Sequence, residues 1–216
     1  MYRPVSRYLL LSRAGSGDVE LTGTVGGIEQ IRLDETRYAV VPFGKRSVTA
    51  VGGTDPMIWV GENESFELRG YDRAGRLIRL IRADAAPTVV TDELYAEYRE
   101  GMRRLGEELD RSPEEIRQML EDADAAPLPS TTPHYSSAHV ALDGSLWVET
   151  YRAPYETPRV TWHLFDPEGR WTGTVETAAD MEPLEAGDDY VIAKLKDELD
   201  VEYVALYPLL ADGAPR

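Results

Sequence analysis

Cysteine is absent from the 216-residue sequence, which removes disulfides, thiolate metal sites and cysteine nucleophiles together. It does not fix a compartment, because a cysteine-free chain suits either redox poise. No run approaches the roughly 18 to 20 apolar residues of a membrane span. The opening Met1-Tyr-Arg-Pro-Val-Ser-Arg lacks the apolar stretch of a secretory leader, so as written the chain reads as soluble and cytoplasmic. Positive charge is also scarce: 39 Asp and Glu stand against 23 Lys and Arg, a formal charge of −16. General binding of nucleic acids or anionic lipid surfaces would need a local basic patch, and the sequence offers none, which demotes both as partners. Only three of the cations are lysine, which we read as coding bias. The length suits one domain.

What is present is mostly strand. Arg7-Tyr-Leu-Leu-Leu-Ser and Val19-Glu-Leu-Thr-Gly-Thr-Val flank Ala14-Gly-Ser-Gly-Asp, which is hairpin punctuation. Tyr38-Ala-Val-Val-Pro and Ser47-Val-Thr-Ala-Val are short and β-branched. Met57 to Gly61, Ser65 to Tyr71 and Leu77 to Arg82 then follow as one meander. Strand patterning resumes at Ser137 with Ala138 to Leu142, Ser145 to Tyr151, Val160 to Phe165 and Trp171 to Glu176. It closes with Met181 to Ala186, Tyr190 to Leu195 and Glu202 to Leu210.

Residues 83–136 break this pattern. Thr91 can cap a helix in which Leu94, Tyr98, Met102, Leu105 and Leu109 recur at steps of three and four on one face. Ser112-Pro-Glu-Glu is a second start signal: the hydroxyl accepts from the amide three residues on, Pro113 has no amide to leave unsatisfied, and Glu115 reaches back. That predicts a shorter helix from Pro113 to Ala123, followed by a return segment stiffened by Pro127, Pro129 and Pro133. The insert is read as a helical pair hung between strands, packed on the sheet edge, covering a mouth or docking a partner.

Self-similarity organises the rest. Asp55-Pro-Met-Ile-Trp-Val and Asp143-Gly-Ser-Leu-Trp-Val share one form, and Tyr71-Asp-Arg-Ala-Gly-Arg and Phe165-Asp-Pro-Glu-Gly-Arg share another. A weaker third copy begins Asp188-Asp-Tyr-Val-Ile-Ala, with Ile192 at the tryptophan position. The chemistry is that of turns: aspartate bonds the amides ahead of it, proline presets its torsion, and glycine takes the positive φ. A calcium reading of these runs offers too few oxygen ligands. Ile58, Trp59 and Val60 are apolar in succession, as are Leu146, Trp147 and Val148. A sheet apolar on both faces must sit between neighbours, and radial stacking of four-stranded units meets that demand.

These motifs, with Gly187-Asp-Asp-Tyr-Val-Ile-Ala and Asp197-Glu-Leu-Asp-Val-Glu-Tyr-Val-Ala-Leu-Tyr-Pro-Leu, resemble the six-bladed β-propeller proteins of bacteria related to NHL-repeat propellers. The resemblance covers most of residues 38–210. It implies a mainly β fold, a partial propeller of about three to four four-stranded antiparallel blades carrying a helical-pair insert. The expected layout is one domain over 1–216: an incomplete blade and connector at 1–36, a blade at 38–82, the insert at 83–136, a blade at 137–176 and a last blade at 181–210. A closed six-bladed ring needs roughly twenty-four strands and this chain offers about thirteen. The sequence is therefore expected to be an N-terminally truncated piece or an open arc. Its alternative is a half-ring that closes on a second copy through its terminal blades. Truncation would move the protein to a periplasmic or extracellular setting.

By the same resemblance, one mouth gathers Glu62 to Glu64, Arg152 to Thr157, His134, Tyr135, and Thr177 to Asp180. The ligand-contact candidates are Arg46, Asn63, His134, Tyr135, His139, Tyr151, Arg152 and Tyr155. His134, His139 and His163 have no spacing that preorganises a metal site, and no Gly-x-Ser-x-Gly is present, leaving Ser136 and Ser137 beside His139 as a weak nucleophile hint. Asp188, Asp189, Asp197, Glu198 and Asp200 read as solvated turn carboxylates. Trp59 and Trp147, at equivalent places in the repeat, read as core. The expected function is a non-enzymatic ligand- or protein-binding module with no cofactor. The alternative is a hydrolase or lyase with a histidine- or metal-dependent site.

Overall fold

Aspartate turns set the strand order. The computed structural model describes residues 1–7, 9–10, 19–20, 25–152, 159–187, 189–197, 199, 201–211 and 214–215. In it, both aromatic-Asp-x-x-Gly-Arg runs are hairpin turns. Asp72 Oδ1 accepts from the amides of Ala74 and Arg76, each at 2.9 Å, and Asp166 Oδ1 from Arg170 at 2.8 Å. Gly75 and Gly169 take φ of 74° and 84° to close these turns, a region open to glycine. Asp197 repeats the device, accepting from Leu199 and Val201 at 2.8 and 3.0 Å. Asp188, Glu198 and Asp200 lie outside the described residues.

These turns join consecutive strands into meanders. The first runs β1 (Ser47–Gly52), β2 (Met57–Glu62), β3 (Glu67–Tyr71) and β4 (Leu77–Arg82). After the helices α1 (Asp92–Glu108) and α2 (Pro113–Asp124), the second runs β5 (Tyr135–Val140), β6 (Leu146–Thr150), β7 (Arg159–Phe165) and β8 (Trp171–Ala178). The third has three strands, β9 (Glu182–Ala186), β10 (Tyr190–Lys196) and β11 (Glu202–Pro208). All pairings within them are antiparallel. The fold is mainly β, built of antiparallel sheets with two helices and, among the described residues, no closed barrel.

Both faces of β2 and β6 are buried, as their unbroken apolar runs require. Trp59 packs with Tyr135, Val140, Leu146, Val148 and Phe165 of the second meander. Trp147 packs in the same sense with Val191, Ala193 and Leu195 of the third. The opposite face of the first meander, Ile58, Val60 and Tyr71, is covered by Val25. Backbone steps from sheet to sheet follow the repeat: the Thr54 amide donates to Leu142 O at 3.0 Å and the Leu142 amide to Ala186 O at 3.2 Å.

The N-terminal third departs from the expected blade pattern. Tyr38–Val40 pairs with Gln30–Arg32 and not with β1, so the first meander starts at Ser47. Pro42, which lacks an amide, and Phe43 at φ 56° turn the chain away between them. Val5–Ser6 pairs with Val25–Gly26, and Leu9–Leu10 with Val19–Glu20. The Ala14 to Asp18 turn lies outside the described residues.

The insert forms as its caps dictate. Thr91 accepts from the Leu94 amide, and Ser112 and Glu115 make a complete capping box. Leu94, Tyr98 and Met102 face Phe43, Ala123 and Tyr151, but Leu109 sits at the C-cap and is 57% exposed, so the apolar stripe ends one turn early. Gly106 lets the helices close, since a Cβ there would lie 2.6 Å from Ile116. Replacing Ser112 by alanine removes the hydroxyl that accepts from the Glu115 amide and leaves the residue 112 amide bonded to the Glu115 carboxylate. It is expected to lower stability by about 1 kcal/mol, measurable by urea unfolding, with the sheets' near-UV signal unchanged at 25 °C.

Candidate functional site

Asn63 organises the junction between the first two meanders. It follows β2 directly and is 1% exposed. Its Oδ1 accepts from the Arg46 amide at 2.7 Å, and its Nδ2 donates to Tyr135 O at 3.0 Å. Its own amide donates to Arg46 O and its carbonyl accepts from His134 N, at 3.0 and 2.9 Å. One side chain therefore ties the start of β1 to the start of β5. Buried amides without such partners cost heavily, which is why this position carries a group that both donates and accepts.

Above this clamp lies a cleft of about 540 Å³. Arg46, Asn63, Tyr151 and Arg152 line it, together with Phe43, Tyr98, Ser136, Ser137 and Glu149. The Arg46 guanidinium donates through Nη2 to Ser136 O at 2.8 Å and, among the described residues, forms no ion pair. Burial pushes the Tyr151 phenol up to about 12, the Tyr98 phenol adds to this, and the Arg46 charge pulls the other way. The phenol is thus a proton donor across the physiological range. Phe43 holds its left-handed backbone here with its ring 5.2 Å from that of Tyr98. Left-handed torsions on a non-glycine residue persist where the surroundings over-determine them.

The floor is a charge pair with a buried carboxylate and a part-exposed guanidinium. Glu149 is 6% exposed and accepts the Ser137 hydroxyl at 2.5 Å on Oε2. Arg152 Nε approaches Oε1 at 3.0 Å, an ion pair without hydrogen-bond alignment, and its Nη1 donates to Ala179 O at 3.1 Å. The same three residues border a smaller cleft of about 210 Å³ on the far side, toward Trp162 and Met181. Ser137, Glu149 and Arg152 are the partition between the two spaces.

The other candidates are placed elsewhere. Tyr135 is fully buried, its hydroxyl donating to Glu67 O at 3.1 Å, so it is a core strut between the meanders. His134 meets the site through its backbone, and its Nδ1 is buried without a hydrogen-bond partner among the described residues. His139 stands across from Trp147 in the strand register, with Nε2 likewise unpartnered, and burial pushes its pKa down. His163 lies edge-on to Phe66 of the neighbouring meander, with its pKa also lowered by burial. Among the described residues no group of three metal-ligating side chains gathers. Tyr155 lies outside the described residues.

Glu149 and Phe43 are lining residues that sequence reasoning passed over, and Ser137 drew notice only as a neighbour of His139. The signal was positional: in the repeat, Glu149 occupies the place held by Gly61 in the first copy and Lys194 in the third. A carboxylate where one copy has glycine breaks an otherwise apolar strand. No protein-family model matches the chain, and no curated protein is detectably similar to it in sequence. Among the described residues, no helix is long and apolar enough to cross a membrane.

Proposed function

We propose that the protein is an open arc of propeller-type blades acting as a non-enzymatic binding module, with the Arg46 cleft as the receptor for a small carboxylate-bearing ligand. The blade reading rests on the repeated meanders, on a tryptophan aimed at the following sheet in both full copies, and on the backbone steps through Thr54, Leu142 and Ala186. The ligand reading rests on one observation: in a chain of charge −16, Arg46 brings to this cleft a guanidinium that no described carboxylate neutralises. The described lining carries two arginines and one glutamate, so the local sign opposes that of the whole molecule. Guanidinium engages carboxylate through two parallel bonds, while Phe43, Tyr98 and Tyr151 offer ring surface for an apolar tail.

A larger groove of about 670 Å³ lies between the second and third meanders. Its arginine, Arg159, is already within 3.5 Å of Glu176, so it lacks the free charge that marks the first cleft. The hydrolase alternative finds less support, since no described histidine lines the Arg46 cleft and the Ser137 hydroxyl is committed to Glu149.

Titration calorimetry with benzoate, phenylacetate and glutarate, against benzamide, phenylacetamide and glutaramide, tests the reading. At least one of the acids is expected to bind at low ionic strength and its amide not to. Arg46→Gln is expected to weaken that acid at least about tenfold with the unfolding midpoint of the free protein unchanged. Equal affinity in the variant, or no acid bound, overturns it.

A further inference from the structure

The third meander ends where the other two continue. In those, β4 and β8 occupy the fourth place; in the third, β11 is the edge, and among the described residues nothing pairs with its outer side. We infer that β11 pairs antiparallel with β11 of a second copy of this chain, about a two-fold axis through Ala205, so that two three-stranded sheets become one of six strands.

Hydrogen-bond parity fixes which groups are available. The Leu209 amide donates to Asp189 O at 2.7 Å and the Asp197 amide to Val201 O at 3.1 Å, and the register between them is unbroken. In an antiparallel ladder bonded pairs alternate, so Tyr203, Ala205 and Tyr207 turn their amides and carbonyls toward β10. Glu202, Val204 and Leu206 turn theirs outward. Pro208 shares the outward parity but has no amide to leave unsatisfied.

The strand is its own complement. Tyr203-Val-Ala-Leu-Tyr207 has the same order of aromatic, branched aliphatic, alanine, branched aliphatic and aromatic residues in either direction about Ala205. The two-fold sets Val204 opposite Leu206 of the second copy, which is the outward-facing pair that hydrogen bonding demands, and Tyr203 opposite Tyr207. Glu202 falls opposite Pro208, whose carbonyl can accept from the Glu202 amide. Slipping one copy by a single residue, which moves the axis by half a residue, would set each outward-facing residue opposite an inward-facing one and leave every outward amide without an acceptor. An axis through Val204 or Leu206 keeps the parity but no longer sets Tyr203 opposite Tyr207.

Exposure and charge agree with that occupant. Val204 and Leu206 are 63% and 66% exposed. Soluble proteins guard open edges with lysine, bulges or inward charges, and β11 has no lysine. Its one charge, Glu202, would lie roughly 20 Å from its counterpart, six residues at about 3.4 Å each. That exceeds the Debye length of about 8 Å in physiological salt, so the strands approach without local repulsion despite the acidity of each chain. The pairing is independent of the ligand reading for the Arg46 cleft.

The chain has no native cysteine, which makes the test direct. In the two-fold register the Ala205 residues form a non-bonded pair with Cα atoms about 4.5 Å apart, within disulfide reach. Air-oxidised Ala205→Cys is expected to run as a covalent dimer on a non-reducing gel, and Tyr203→Cys, which faces residue 207, is expected to remain monomeric. In sedimentation equilibrium the native chain should rise from 24.1 kDa toward twice that mass with concentration. Val204→Pro removes only an outward amide and should raise the dimer dissociation constant at least about tenfold with an unchanged melting midpoint in dilute solution. Leu206→Glu provides the same readout should the proline variant fail to fold. A native chain that stays at monomer mass up to about 200 µM, cross-linking of Tyr203→Cys as readily as Ala205→Cys, or folded Val204→Pro or Leu206→Glu proteins that dimerise like the native chain would overturn the pairing.

Discussion

Replacing Gly61 by alanine is expected to destabilise the protein by about 2 to 4 kcal/mol, at the upper end of what overpacking costs. The reason is a collision from two sides. A Cβ at this position in β2 would lie 2.2 Å from the Tyr135 hydroxyl and 2.6 Å from Glu67 O. The first is the tip of a side chain with no free volume to retreat into, and the second is backbone of the adjacent hairpin. Tyr135→Phe alone should cost about 1 kcal/mol, the net worth of one hydrogen bond. It also deletes the nearer obstacle, so the pair of substitutions should cost less than the sum of the two alone. Urea unfolding of the four proteins in this cycle measures the coupling. Strict additivity would mean that Tyr135 is not what excludes a side chain at Gly61.

Asn63→Leu is expected to cost about 3 kcal/mol, because it keeps the volume and abandons two buried backbone groups, the Arg46 amide and the Tyr135 carbonyl. Asn63→Asp distinguishes the two bonds. Its carboxylate can still accept from Arg46 N but confronts the Tyr135 carbonyl with a second acceptor. Burial beside that carbonyl favours the protonated acid, so the folded variant should hold a proton more tightly than the unfolded chain does. A group whose pKa is raised on folding contributes more stability as pH falls, so the deficit of Asn63→Asp relative to the native protein should shrink between pH 7 and pH 5. Paired melts of the two proteins across that range measure the difference. A deficit that does not change with pH would mean that Nδ2 is not the bond that matters.

Much of the architecture was legible because local chemistry and global packing agree. Ser112-Pro-Glu-Glu starts a helix wherever it stands, and Asp72 and Asp166 build the hairpins that their spacing to glycine implies. Successive apolar residues at Ile58 to Val60 required cover on both sides, and they have it. The site was less legible. Arg46, Asn63, Tyr151 and Arg152 meet because Asn63 joins strands 72 residues apart through Tyr135 O, a contact no local periodicity encodes. Tyr135 stands beside a loop in the sequence, but its burial and the hydroxyl donated to Glu67 O beside Gly61 come from contacts distant along the chain. Glu149 was hidden inside a strand whose neighbours Trp147 and Val148 announce core.

The way in and the way out of the helical insert run side by side. The Thr132 amide donates to Thr88 O at 2.9 Å, the Val90 amide to Ser130 O at 3.1 Å, and Lys45 Nζ to Thr131 O at 2.8 Å. The register of the two strand stacks is set by their own ladders and not by the helices that hang from this neck. The helices, which supply Tyr98 to the cleft wall, can therefore vary in sequence and length while the sheets below keep their register. Substitutions on the helical side alone can thus reshape this cleft wall, as one changes a lock's wards without recasting its frame.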